Sequence, residues 1–139
     1  MARTIPEYFA ERREECRKLS LFEASPPRFL VEAGSKEKRG RIILSLHMTA
    51  RASMAVSESI HIDDANGLHR VEYAYYLLID GQQYWSRDLD TFHGYHGHTI
   101  GHERTKAERV SFKKAVEEAW EIVSQEEELE EASPPPDAS

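Results

Sequence analysis

The stretch SMAVSESIHIDDANGLHRVEYAYYLLIDGQQYWSR, residues 53–87, decides the fold. It carries two Asx-Gly dipeptides, Asn66-Gly67 and Asp80-Gly81, each the signature of a two-residue hairpin turn. The run between them, Leu68 to Ile79, is rich in Val, Tyr, Leu and Ile, residues that suit a pleated, half-buried surface. With two-residue loops at both turns, Ile62 opposes Val71, Ile60 opposes Tyr73, and Leu77 opposes Tyr84. Opposed residues share a sheet face. One face then holds Ile60, Ile62, Val71, Tyr73, Tyr75, Leu77, Ile79 and Tyr84 and reads as core. The other holds His61, Glu72, Ala74, Tyr76, Leu78, Trp85 and Arg87. A slip of one residue at either turn breaks this agreement.

Upstream, residues 41–49 alternate, with Ile42, Leu44, Leu46 and Met48 against Ser45, His47 and Thr49, and predict another strand. Residues 6–22 predict a helix opened by Pro6 and stopped by Ser25-Pro26-Pro27. Gly34 to Gly40 is polar and predicts a loop. Residues 90–104, rich in Gly and His, predict a loop with a short strand near 95–100. Thr105 with Glu108 matches a capping box, and Phe112, Val116, Ala119, Trp120 and Val123 form the apolar stripe of a closing helix. The expected architecture is α+β: an antiparallel meander of four to five strands, covered on one face by the N- and C-terminal helices. One domain spans residues 1–124, and an acidic, Pro-containing disordered tail spans 125–139.

The chain has 139 residues and a formal net charge of −7. A basic surplus is the usual mark of a polyanion binder, but the acidity is local here. Residues 125–139 contain six acids and no bases, leaving residues 1–124 at −1, while residues 1–41 carry a net +3. The apolar runs are far too short for a membrane span, and the opening residues lack the pattern of a secretory signal. A single cysteine, Cys16, fits a reducing compartment and is expected to be a buried small residue. The expected location is cytoplasmic, without membrane association.

Chemistry concentrates in RDLDTFHGYHGHTIGHE, residues 87–103, which holds four of the seven histidines. Histidine titrates near neutrality, exchanges protons and ligates borderline metals. Three readings stay open. His93, His96, His98 and His102 are candidate ligands of a transition metal such as zinc, with Asp88 or Asp90 in support. Alternatively, one histidine takes a proton from a 2′-OH, another protonates the leaving oxygen, and Arg87 stabilises the phosphorane, with no cofactor. The third reading is a polar loop whose histidines bond to carbonyls, and the residues alone favour it. His61, Glu72, Tyr76, Trp85 and His102 are candidate substrate-binding residues beside the cluster. Glu72 and Arg87 on one face also suit a simple cross-strand ion pair, and Trp85 suits packing under the Trp120 helix.

The order of features from Val71 to His102 resembles the TumE-like toxin family of prokaryotic toxin–antitoxin systems. The matching residues are Tyr73, Tyr75, Asp80-Gly81, Arg87, Asp88 or Asp90, His93 and His96-Gly97-His98, within roughly residues 42–102. The chain departs from the family's Pro-containing spacer and doubled His, having Asp90-Thr-Phe-His93-Gly in their place. The resemblance implies a compact α+β toxin, ribonuclease-like, with RNA as target and a DNA-binding antitoxin as partner. A homo-oligomer is compatible with it.

Overall fold

The computed structural model describes residues 3–65, 67–90, 94–98, 104–106 and 110–132. Helix α1 spans Ile5–Lys18, strand β1 Phe22–Glu23, β2 Arg28–Val31, β3 Arg39–His47, β4 Ala52–Asp63, β5 Gly67–Ile79, β6 Gln82–Asp90, β7 Gly94–His98, β8 Arg104–Lys106 and helix α2 Phe112–Ala132. The strands form one open antiparallel sheet in the order β1-β3-β4-β5-β6-β7-β8, with β2 also pairing β3. The long strands β3 to β6 are the predicted meander, and short strands extend both edges. The α+β class is as expected from the sequence.

Both helices lie on one face. Their core packs Ile42, Leu44 and Leu46 of β3, Met54, Val56 and Ile60 of β4, and Tyr73, Tyr75, Leu77 and Ile79 of β5 against Phe112, Val116, Ala119 and Val123 of α2. The Trp120 indole donates to the Leu19 carbonyl at 2.9 Å and ties α2 to the end of α1. Among the described residues, no helix is long and apolar enough to cross a membrane.

Register differs from expectation at both hairpins. At Asp80-Gly81 both residues have positive φ (53° and 79°) and Ile79 pairs Gln82, as a two-residue turn requires. A bulge then follows: Leu78 pairs Gln83 but Leu77 pairs Trp85, so Tyr84 is the extra residue. One added residue turns the rest of β6 over. Trp85, 2 % exposed, enters the core instead of Tyr84, and Arg87 opposes Tyr75 instead of Ala74. At the other hairpin the pairing ends at Asp63 with Gly67, so the connection is longer than two residues; Asn66 lies outside the described residues. Gly67 has φ 64°, and a second bulge between Ser59 and Ile60 makes Val71 the extra residue. The two offsets together leave Ile60 and Tyr73 on the core face.

Helix ends also differ. The predicted helix over 6–22 ends at Lys18, because Leu21 and Ser20 donate back to the carbonyls of Cys16 and Arg17 with Ser20 at φ 63°. This is a Schellman-type stop made with serine in the glycine position, and it buries Leu21 beside Cys16. Thr105 sits in strand β8, and the cap of α2 is Ser111, whose hydroxyl accepts from the Lys114 amide at 3.1 Å. The helix runs on to Ala132, so the acidic segment from Glu126 to Glu131 is helical.

At Gly40 the sheet backbone comes close under Ile5 of α1. A Cβ there would stand 2.7 Å from Ile5 Cγ2 and 2.9 Å from the Leu30 carbonyl. Gly40→Ala is expected to cost about 1–3 kcal/mol through overpacking, read as a lower urea midpoint with an unchanged slope.

Candidate functional site on the open sheet face

Two polar constellations emerge, one on each face. Under the helices, Glu58 is fully buried and opposes Ile42 and Tyr73. Its carboxylate accepts from Arg12 Nε at 2.7 Å, Arg12 Nη2 at 3.1 Å, Tyr8 Oη at 3.1 Å and Tyr75 Oη at 2.6 Å. Arg70 Nη1 lies 3.9 Å from Glu58, donates to Tyr75 Oη at 2.6 Å, and reaches the Val110 carbonyl through Nη2 at 2.9 Å. Burial first, and the Glu58 charge second, push the Tyr8 and Tyr75 phenols above their usual range, so both remain neutral donors. The Arg12 guanidinium lies 4.3 Å from the Phe112 ring centroid. The cluster therefore fastens α1, α2 and the sheet with a nearly saturated acceptor. Cys16 is 3 % exposed, and burial pushes its thiol up to about 12, so the thiolate needed for reactivity is disfavoured.

The opposite face carries no helix among the described residues. Its rows follow from register. Arg28, Ile43, Ser57, Ala74 and Asp88 form one row, and Leu30, Arg41, Ser59 and Glu72 the next. Ser45, Ala55, Tyr76 and Ser86 form a third, and Arg39, His61 and His69 a fourth. Small Ser and Ala side chains along the centre keep the relief low. Arg41, Ser57, Glu72, Tyr76 and Asp88 line a cavity of about 170 Å³. Burial, then the Asp88 charge, raises the Tyr76 phenol and keeps it a proton donor. A neighbouring cavity of about 320 Å³ is walled by Leu30, Glu32, Arg39, Arg41, Ser59 and His61.

The expected site residues divide between the two faces. His61, Glu72 and Tyr76 are on the open face, as the sequence predicts. Trp85 and Arg87 are not. Trp85 is core, in keeping with its alternative reading as a residue packed under the closing helix, and Arg87 Nε meets Glu118 of α2 at 3.1 Å while its guanidinium carbon lies 5.0 Å from the Trp85 ring centroid. The expected cross-strand pair of Arg87 with Glu72 is thus replaced by an ion pair to a helix, a consequence of the bulge at Tyr84. The β7 backbone sets His96 opposite Asp88 and His98 opposite Ser86. His93 and His102 lie outside the described residues. Among the described residues no cluster of three or more His, Cys, Asp or Glu is placed to hold a metal.

One feature escaped the sequence reading. Glu58 interrupts the apolar series Met54, Val56, Ile60, and a carboxylate at that parity has to be buried and paired. Strand β3 begins at Arg39, two residues before the predicted start, and its alternation puts Arg39 and Arg41 on the open face. Compared with family models, with curated proteins and with solved structures, the chain shows no match.

Proposed function

We propose that the chain is the toxin component of a toxin–antitoxin pair and acts as a metal-independent endoribonuclease, with its reaction on the open face where β6 meets β7. The observation that carries this reading is the register of His96 against Asp88, next to the half-buried Tyr76. One histidine of the His96-Gly97-His98 strand takes the 2′-OH proton, and the second protonates the departing 5′-oxygen. The neutral Tyr76 phenol donates to the oxygen on which charge develops. Attack of the 2′-oxygen forms a new P–O bond as the P–O5′ bond breaks, leaving a 2′,3′-cyclic phosphate and a free 5′-hydroxyl. Arg87, held by Glu118 on the helix side, has no part in this mechanism.

Induced expression without any partner tests the reading. Growth is expected to stop with the wild-type chain and to continue with His96→Ala/His98→Ala. Harmless accumulation of folded wild-type protein would refute it.

A further inference from the structure

We propose that the cavity at the β2–β3 edge of the open face, walled by Arg39, Arg41 and His61, is a subsite for the phosphodiester backbone of single-stranded RNA. It would hold a non-reacting part of the strand whose scissile bond lies over β6 and β7, and so rests on the ribonuclease reading.

The charges set this edge apart. Several other arginines are matched: Arg12 with Glu58 and Glu15, Arg13 with Glu23, Arg17 with Glu14, Arg51 with Asp80, Arg87 with Glu118. Arg41 instead bonds the Ser57 hydroxyl through Nε at 3.2 Å and Nη2 at 3.1 Å, with no carboxylate ion pair among the described residues. Arg39 has its nearest paired carboxylate, Glu32, at 4.0 Å, the limit of an ion pair, and both side chains are more than half exposed. Arg28, one row away on the same face, is exposed as well. His61 closes the end of the cavity. Behind it one ring nitrogen of His69 lies 3.1 Å from the Gly67 carbonyl and the other 3.5 Å from Asp63.

Geometry links this edge to the reacting end. The row Arg28, Ile43, Ser57, Ala74, Asp88 continues by register to the His96 position. From β3 to β7 it crosses four strand spacings, roughly 19 Å in all. Ser57 and Ala74 at its centre leave room for a chain lying across the strands. An extended strand on a low sheet can splay its bases while its phosphates meet arginines, the way single-stranded RNA is usually engaged. Arg41 lines both this cavity and the one that Tyr76 and Asp88 line, and so joins the arginine edge to the reacting end.

The test is fluorescence anisotropy of a labelled single-stranded RNA 20-mer with the full chain, in chelator, at several salt concentrations. Cleavage of the same oligonucleotide is measured separately. Arg39→Ala/Arg41→Ala is expected to weaken binding on the order of tenfold at low salt and to reduce the log–log salt slope by about 1.4, the value for two lost phosphate contacts on a single strand. Arg17→Ala, on the helix side, should change neither. His96→Ala/His98→Ala should abolish cleavage and keep the wild-type salt slope. Binding that depends on Arg39 and Arg41 without any cleavage would sustain the subsite and remove the ribonuclease. Cleavage with binding indifferent to both arginines would do the reverse. Equal competition by a nucleoside monophosphate would overturn the strand assignment in favour of a small phosphate ligand, and equal competition by polyglutamate in favour of an acidic protein segment.

Discussion

Glu58→Ala is expected to destabilise the protein by about 3–5 kcal/mol, the cost of stripping the partner from a buried charge. A domain of this size is stable by only about 5–15 kcal/mol, so the change removes a large share of the stability and should lower the urea midpoint steeply. The reason is local. Arg12, 8 % exposed, would keep its charge with Glu15 as its one remaining carboxylate partner among the described residues. Arg70 would remain beside it, and the Tyr8 and Tyr75 hydroxyls would lose their acceptor. Arg12→Ala/Glu58→Ala should cost less than the two single changes added together, by about 1–3 kcal/mol, because the double change removes both members of the pair. Urea unfolding of the four proteins measures this coupling. A Glu58→Ala variant within 1 kcal/mol of wild type, as ordinary surface changes are, would show that the cluster holds neither helix.

The second large effect is on chemistry. His96→Ala and His98→Ala are each expected to lower RNA cleavage by about 10²- to 10⁴-fold, the usual contribution of one general acid or base. Tyr76→Phe should lower the rate by a smaller factor, with little change in substrate affinity, since the phenol is needed most where charge develops. Arg87→Ala is the contrasting case. It breaks a contact with Glu118 on the far side of the sheet and should act on stability, leaving the cleavage rate per folded molecule near wild type. Single-turnover assays on folded variants separate these outcomes. Equal loss for Arg87→Ala and His96→Ala would place the chemistry on the helix side, against the face assignment.

Much of the fold is legible in residues 41–87 because alternation and turn chemistry are strong local signals. Asp80-Gly81 adopts the two-residue turn its residues favour, and Tyr73, Tyr75, Leu77 and Ile79 pack as their parity requires. The candidate site is less legible, and one residue explains why. Nothing in the Gln-Gln-Tyr-Trp run marks Tyr84 as the bulged position; the burial of Trp85 in a core that includes Leu77, Phe112 and Val116 favours the bulge. That choice moves Trp85 and Arg87 together from the expected cleft to the helix side. The end of α1 is hidden for a similar reason, since Ser20 takes a left-handed conformation that composition assigns to glycine. The start of β3 at Arg39 is hidden because Arg39 and Gly40 belong to a polar stretch that reads as a loop, although the alternation with Ile42 and Leu44 is regular.

Metal-independent cleavage of RNA on the open face is tested most directly by incubating the purified chain with single-stranded RNA in excess chelator and analysing the new ends. The expected fragments end in 2′,3′-cyclic phosphate and 5′-hydroxyl and are absent with His96→Ala/His98→Ala. Intact RNA, or cleavage that appears only when a divalent metal is restored, would contradict it.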